Sequence, residues 1–194
     1  MQLSSKSKWL LFAAVATIGL SLDLLTKFFA VKSLTVGNAF SLIGNVVQFY
    51  LVYNKGALFG INPRSVIPGF PVNAFFYIFS VIAVVLLIVY YRNLKKGSWL
   101  IYIGISLIMP GALGNFIDRL LYPSRGVVDF IKVDLGFAPF NPWPIFNLAD
   151  AYITVGVILI VLELMREELS RKAEKMPGPA AGDPKNSSEF IKGN

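Results

Sequence analysis

Phe146-Asn147-Leu148-Ala149-Asp150 opens the last long apolar run of the chain, and from Ala151 to Leu162 no residue is charged. Asp150 is therefore a carboxylate at the mouth of a membrane-length helix. Such a group is costly unless paired, and ionisable residues in membrane segments are functional candidates by default. The same five residues also read as a helix start. Asn147 can serve as the N-cap and Asp150 as the acid three residues on, bonded as in a capping box and favoured by the helix dipole. On this stretch alone the two readings stand level. A second acid, in Val127-Val128-Asp129-Phe130, moves the balance toward function.

The rest of the composition fits a membrane protein. Of 194 residues, 55% are hydrophobic and 15% charged, which suits one membrane domain and is too little chain for two. Cysteine and histidine are both absent. Disulfides, thiol nucleophiles, Ser-His catalysis and His- or Cys-ligated metal are thereby excluded, and neither cofactor nor metal is expected. Acid–base chemistry would have to come from Asp, Glu, Lys or Tyr. The net charge of +7 has no soluble basic domain to serve, so it predicts membrane-topology charge and no nucleic-acid partner.

Four spans are expected, at about 9–30, 72–91, 99–117 and 145–165, in a domain covering 1–165. The first is broken only by Asp23 and Lys27, the second by no charge at all. The first lacks the short apolar core and small-residue cleavage site of a removable leader, so it reads as a retained anchor. Pro110 and Gly111 predict a kink in the third span. Val46 to Tyr53, rich in β-branched and aromatic residues, predicts a strand. Asn62-Pro63 and Pro68-Gly69 mark turns, and 120–144 reads as a loop. Residues 166–194 read as a charged, disordered cytoplasmic tail. Lys6 and Lys8, Arg92, Lys95 and Lys96, and Arg166, Arg171, Lys172 and Lys175 fall on one side of this layout. That side is expected to be cytoplasmic, with both termini inside.

Depth then becomes informative. At a rise of 1.5 Å per residue, Asp23 lies about 21 Å beyond Trp9 and Asn115 about 24 Å beyond Trp99. In a hydrocarbon core about 30 Å thick, both stand near the outer boundary, where Asp150 opens its helix. Asp23 and Lys27, at i and i+4, predict an intrahelical ion pair in the favourable order, with a possible supporting role at the site. Asn115, Asp118 and Arg119 share a helix face, and Asp118 is the expected partner of Arg119, unless the two are a snorkelling interface pair. Asn54-Lys55-Gly56-Ala57 offers an amide and a flexible turn. Asp129 has Val127, Val128, Phe130 and Ile131 around it. In a soluble protein that run would read as a strand with its acid facing water. Beside Asp150 in a poorly solvated place, one of the two pKa values would rise and the pair would share a proton near neutral pH. A shared proton supplies a base for water and an acid for a carbonyl.

Five blocks occur in order: Asp23-Leu24-Leu25-Thr26-Lys27, Asn54-Lys55-Gly56-Ala57-Leu58-Phe59-Gly60, Gly114-Asn115-Phe116-Ile117-Asp118-Arg119, Gly126-Val127-Val128-Asp129-Phe130 and Phe146-Asn147-Leu148-Ala149-Asp150. Together they resemble the lipoprotein signal peptidases, the type II signal peptidases of bacteria. The resemblance covers about Leu10 to Met165. It implies an all-α membrane protein of four transmembrane helices with a small extracytoplasmic β-cradle, and an aspartic endopeptidase that needs no metal. It implies that Asp129 and Asp150 are the catalytic pair. Asp23, Lys27, Asn54, Gly56, Asn115, Asp118, Arg119, Asn147 and Ala149 would be supporting or substrate-facing residues. The implied substrate is a prolipoprotein whose lipobox cysteine carries diacylglycerol, cut on the amino side of that cysteine. Membrane lipid is the other implied partner, the enzyme is expected to be monomeric, and its place is the bacterial cytoplasmic (inner) membrane. Leu58 stands where the family often has a second small residue.

Three other readings fit less of the sequence. A proton-coupled transporter would carry its acid near the midplane. A scaffold using polar residues for helix association explains Asn115 and Arg119 but not Asp129. A Ser-Lys peptidase has Lys27 but no serine in a persuasive constellation with it.

Overall fold

The apolar runs fold as helices in the computed structural model, which describes residues 4–56, 67–94, 98–137 and 143–175. Four helices are long and apolar enough to cross a membrane: α1 (Ser5–Ser33), α2 (Val72–Asn93), α3 (Trp99–Leu121) and α4 (Leu148–Lys175). Leu58, Asn62-Pro63 and the tail 176–194 lie outside the described residues. Ser4 and Ser98 cap α1 and α3, each side chain accepting a backbone N–H of the first turn. These caps satisfy donors that helix geometry leaves without partners.

Half of the apolar window of α3 is buried within the protein, against 11–17% in the other three. α3 is thus the post on which the others lean, and the remaining faces are left for lipid. Small residues let α4 approach it closely. A Cβ on Gly104 would overlap the Gly156 carbonyl, one on Gly156 would overlap the Gly104 carbonyl, and one on Gly111 would meet the Ala149 carbonyl. On the α1 side, Gly19 leaves room for the Pro110 ring, and α3 runs through Pro110 as one helix. At the opposite end from the aspartates, buried Lys8 donates to the carbonyls of Tyr91, Arg92 and Leu94 at the end of α2. The Tyr91 hydroxyl donates back to the Lys8 carbonyl. Lys8 was expected as a topology charge, and here it also serves as a helix C-cap.

Between α1 and α2 the chain forms β1 (Ala39–Ile43) and β2 (Val47–Asn54), and after α3 it forms β3 (Val127–Val133). The three make an antiparallel sheet in the order β1-β2-β3. The predicted strand at 46–53 is β2. The other two strands lie in stretches read as connections. Leu51, Val128 and Phe130 pack on Ala30 at the end of α1, which fixes the sheet over the aspartate end of the bundle. The last helix runs ten residues past its expected end at 165, so 166–175 is helix where tail was expected.

Candidate active site

The site begins with a stitch between two chain segments. Phe130 N–H and Ile131 N–H donate to the Phe146 carbonyl at 3.1 and 2.8 Å, and Phe146 N–H donates to the Ile131 carbonyl at 3.0 Å. This bridge carries the next residue, Asn147, to the side of Asp129. The Asn147 amide donates to Asp129 Oδ1 at 2.7 Å and to the Val128 carbonyl at 3.2 Å. Its backbone N–H points to Asp150 Oδ2 at 3.3 Å, and its Oδ1 accepts the Asp150 N–H at 3.0 Å. The capping-box geometry expected of Asn147 and Asp150 is present, and the same asparagine that caps α4 bonds both acids.

Asn115 closes the other side. Its Nδ2 donates to Asp150 Oδ1 at 2.8 Å, while its Oδ1 accepts from Lys27 Nζ at 3.0 Å and from the Asn147 amide at 3.1 Å. Lys27 is buried and bridges two acids: Asp23 Oδ2 at 2.8 Å, as expected, and Asp118 Oδ2 at 3.1 Å. Asp23 Oδ1 in turn accepts the Ala149 N–H at 2.9 Å, so α1 holds the first turn of α4. Gly114 leaves the space Asp23 occupies, since a Cβ there would overlap Asp23 Oδ2.

Asp118 is not the partner of Arg119. Consecutive helical residues point about 100° apart, and tertiary packing decided the pairing. Asp118 turns to Lys27 and accepts the Val128 N–H at 3.2 Å. Arg119 lies over the Phe76 ring at 4.1 Å, donates to the Asn115 carbonyl, and feels the charges of Asp129, Asp150 and Asp118. Tyr77 donates to the Arg119 carbonyl at 2.7 Å. Phe76 and Tyr77 were not singled out in the sequence; an aromatic run at the start of a span was the available signal. Asn54 hydrogen-bonds the Asp129 carboxylate and its Oδ1 accepts the Gly56 N–H at 3.0 Å. Gly56 has φ 121° and is packed against Val72, a position that only glycine fills without strain.

The two acids differ in setting. Asp129 is 2% exposed, whereas Asp150 is half-buried. Burial, and then the Asp150 charge, push the Asp129 carboxyl up to about 7, against the hydrogen bonds of Asn54 and Asn147 and the charge of Lys27. All eleven sequence-predicted site residues therefore fall in one cluster, built from the C-terminal ends of α1 and α3, the ends of β2 and β3, and the start of α4.

A model of the family described as signal peptidase II matches residues 15–166. Two curated relatives are each 37% identical. The lipoprotein signal peptidase of Shouchella clausii (strain KSM-K16) aligns over 158 residues, 81% of this chain and 95% of that protein. That of Staphylococcus carnosus (strain TM300) aligns over 164 residues, 84% and 93%. Two solved structures described as bacterial membrane enzymes, obtained by the in meso method at 2.3 and 1.9 Å, share the fold. The first has a TM-score of 0.70 at 30% identity, covering 87% of this chain and 93% of that one. The second has 0.66 at 33% identity, covering 79% and 91%. With the match spanning all four helices and the whole carboxylate cluster, the chain belongs to the signal peptidase II family, multi-pass bacterial membrane peptidases that remove signal peptides from lipoproteins.

Proposed function

We propose that the chain is an aspartic endopeptidase of the cytoplasmic membrane, in which Asp129 and Asp150 share one proton and hydrolyse the bond on the amino side of a diacylglyceryl-cysteine. The observation that carries this reading is Asn147, whose side chain and backbone bond one carboxylate each. The ionised carboxylate takes a proton from water as that water attacks the scissile carbonyl. The protonated partner gives its proton to the carbonyl oxygen, and a tetrahedral diol forms. The diol then loses a proton to the pair, the pair protonates the amide nitrogen, and the C–N bond breaks. The products are a signal-peptide carboxylate and the free amine of the lipidated cysteine. An Asp129 value near 7 suits a group that must give and take a proton near neutral pH. Asn54, Asn115 and Asn147 orient the pair, and Lys27, Asp23 and Asp118 hold the helices that present it. The chemistry calls on no metal or other cofactor.

A bond near the membrane boundary is reached only if the substrate holds it at that depth. Two acyl chains fix the depth, each buried methylene contributing about 0.8 kcal/mol of anchoring. A free-cysteine precursor can slide, and loses the positioning that supplies much of catalysis. The test is a gel-shift assay comparing diacylglyceryl and unmodified precursor in one detergent, with chelator present throughout. Efficient cleavage of the lipidated form alone is expected. Equal cleavage of both would overturn lipid positioning, and loss of activity on chelation would overturn the metal-free pair.

A further inference from the structure

Three basic side chains at the aspartate end of the bundle stand against aromatic rings instead of acids. Lys32 Nζ lies 4.8 Å from the Phe28 ring centre, and Lys132 Nζ lies 5.7 Å from that of Tyr50. The Arg125 guanidinium is 3.6 Å from the Tyr122 ring and 5.3 Å from Tyr53. Among the described residues none of the three forms an ion pair, and Arg125 Nε is buried with no hydrogen-bond partner. Membrane proteins concentrate Lys and Arg at one end of the bundle, and here Lys8, Arg92 and Arg166 occupy the other. Three cations kept at the less favoured end, set against rings and not against the aspartates of the site, call for an anion from outside the chain.

The surface around them says which anion. Phe29, Phe40, Ile43, Leu120 and Leu121 are all more than half exposed, an apolar fringe continuous with the lipid-facing sides of α1 and α3. With that fringe in hydrocarbon, the cations stand at headgroup level, where Tyr and basic side chains find both an apolar bed and phosphate. A guanidinium lying on a tyrosine ring still carries its donors in a planar fork at its edge, the geometry that grips a phosphate with two bonds.

We propose that Lys32, Arg125 and Lys132 form a belt that binds the phosphates of anionic phospholipids and seats the sheet at a fixed height on the membrane. Arg125 precedes Asp129 by four residues, in the turn that leads into β3, and Lys132 follows it by three within β3. Whatever fixes their height fixes the height of that acid. The belt's lipid binding does not depend on the proposed reaction, and it is read without catalysis.

The full chain is placed in nanodiscs of phosphatidylcholine, with or without phosphatidylglycerol, and retained lipid is counted by native mass spectrometry after extraction. The triple variant Lys32→Gln/Arg125→Gln/Lys132→Gln is run beside it. Wild type should retain phosphatidylglycerol over phosphatidylcholine, and the triple variant should lose at least about tenfold in that preference. In lipid-free detergent the two should unfold at the same temperature, and only wild type should be stabilised on adding phosphatidylglycerol. If the triple variant does not fold, Lys132→Gln alone is used, and should lower the preference in part. Equal retention of both lipids by wild type, an undiminished preference in a folded variant, or displacement of the lipid by millimolar inorganic phosphate would each overturn the belt.

Discussion

At the scale of single residues the proposed reaction turns on a shared proton, and this makes pH a probe of it. The ordinary value for the Asp129 carboxyl is 3.8, and in the fold it rises to about 7. Between those values the unfolded chain has released the proton while the native state still holds it. The native state binds more protons there, so the contribution of Asp129 to stability falls as pH rises; the burial penalty is absent below about pH 4 and complete above about pH 7. Asp129→Asn has nothing to ionise. Its thermal stability in detergent should therefore decline less than that of wild type across the window, and parallel profiles would contradict the buried acid. Turnover gives the second readout. Asp129→Asn and Asp150→Asn should each abolish most cleavage while folding normally, and the double variant should lose little more, because residues acting as a unit are not additive. Multiplying losses would assign the two acids separate roles. Both acids were legible in the sequence, one as charge at a helix mouth and the other as charge in an apolar run. The inward orientation of Asp129 was not. It depends on the stitch of Phe146 to β3, a contact between segments that no local pattern encodes.

Among the elements, α3 organises the bundle, and Lys27 of α1 joins it to the site. Lys27 lies between Asp23 and Asp118, and all three are buried. Breaking a buried pair by removing one partner leaves uncompensated charge and costs about 3–5 kcal/mol. Lys27→Met should therefore lower the unfolding temperature sharply, and adding Asp118→Asn should restore part of it by removing one stranded carboxylate. A folded Lys27→Met with unchanged unfolding temperature would show that the bridge does not hold α1 to α3. Helical spacing revealed half of this arrangement, the Asp23–Lys27 pair. It misassigned Asp118, since spacing within one helix says nothing about a cation on another. Strands were legible to the same degree. The β-branched and aromatic run of β2 was clear, whereas β1 has only five residues, all exposed, and β3 sits between loops. Pro110 lies inside α3, which continues through it, and Gly19 on α1 opens space for its ring.

For the molecule as a whole, the basic residues that flank the spans collect at one end. Lys8 reaches the last carbonyls of α2, which brings the start of α1 and Arg92 together. α4 runs antiparallel to α3, with Gly156 beside Gly104 and Ala149 beside Gly111, so Arg166 lies toward that same end. Asp23, Asn115, Asp129 and Asp150 occupy the other. By the positive-inside rule the basic end is expected to face the cytoplasm and the carboxylates the outside. The absence of cysteine makes this measurable with single introduced thiols and a membrane-impermeant maleimide. Ser124 is exposed in the turn between α3 and β3, and the Lys172 side chain is 71% exposed on the far extension of α4. Ser124→Cys should label in intact spheroplasts, and Lys172→Cys only after the membrane is opened. Labelling in the reverse pattern would invert the protein, placing the carboxylates on the cytoplasmic side, where the proposed substrate depth would have to be reached from the inner leaflet. Labelling of both from outside would break the four-span layout itself, because α4 is the single crossing between the two sites and keeps its two ends on opposite sides.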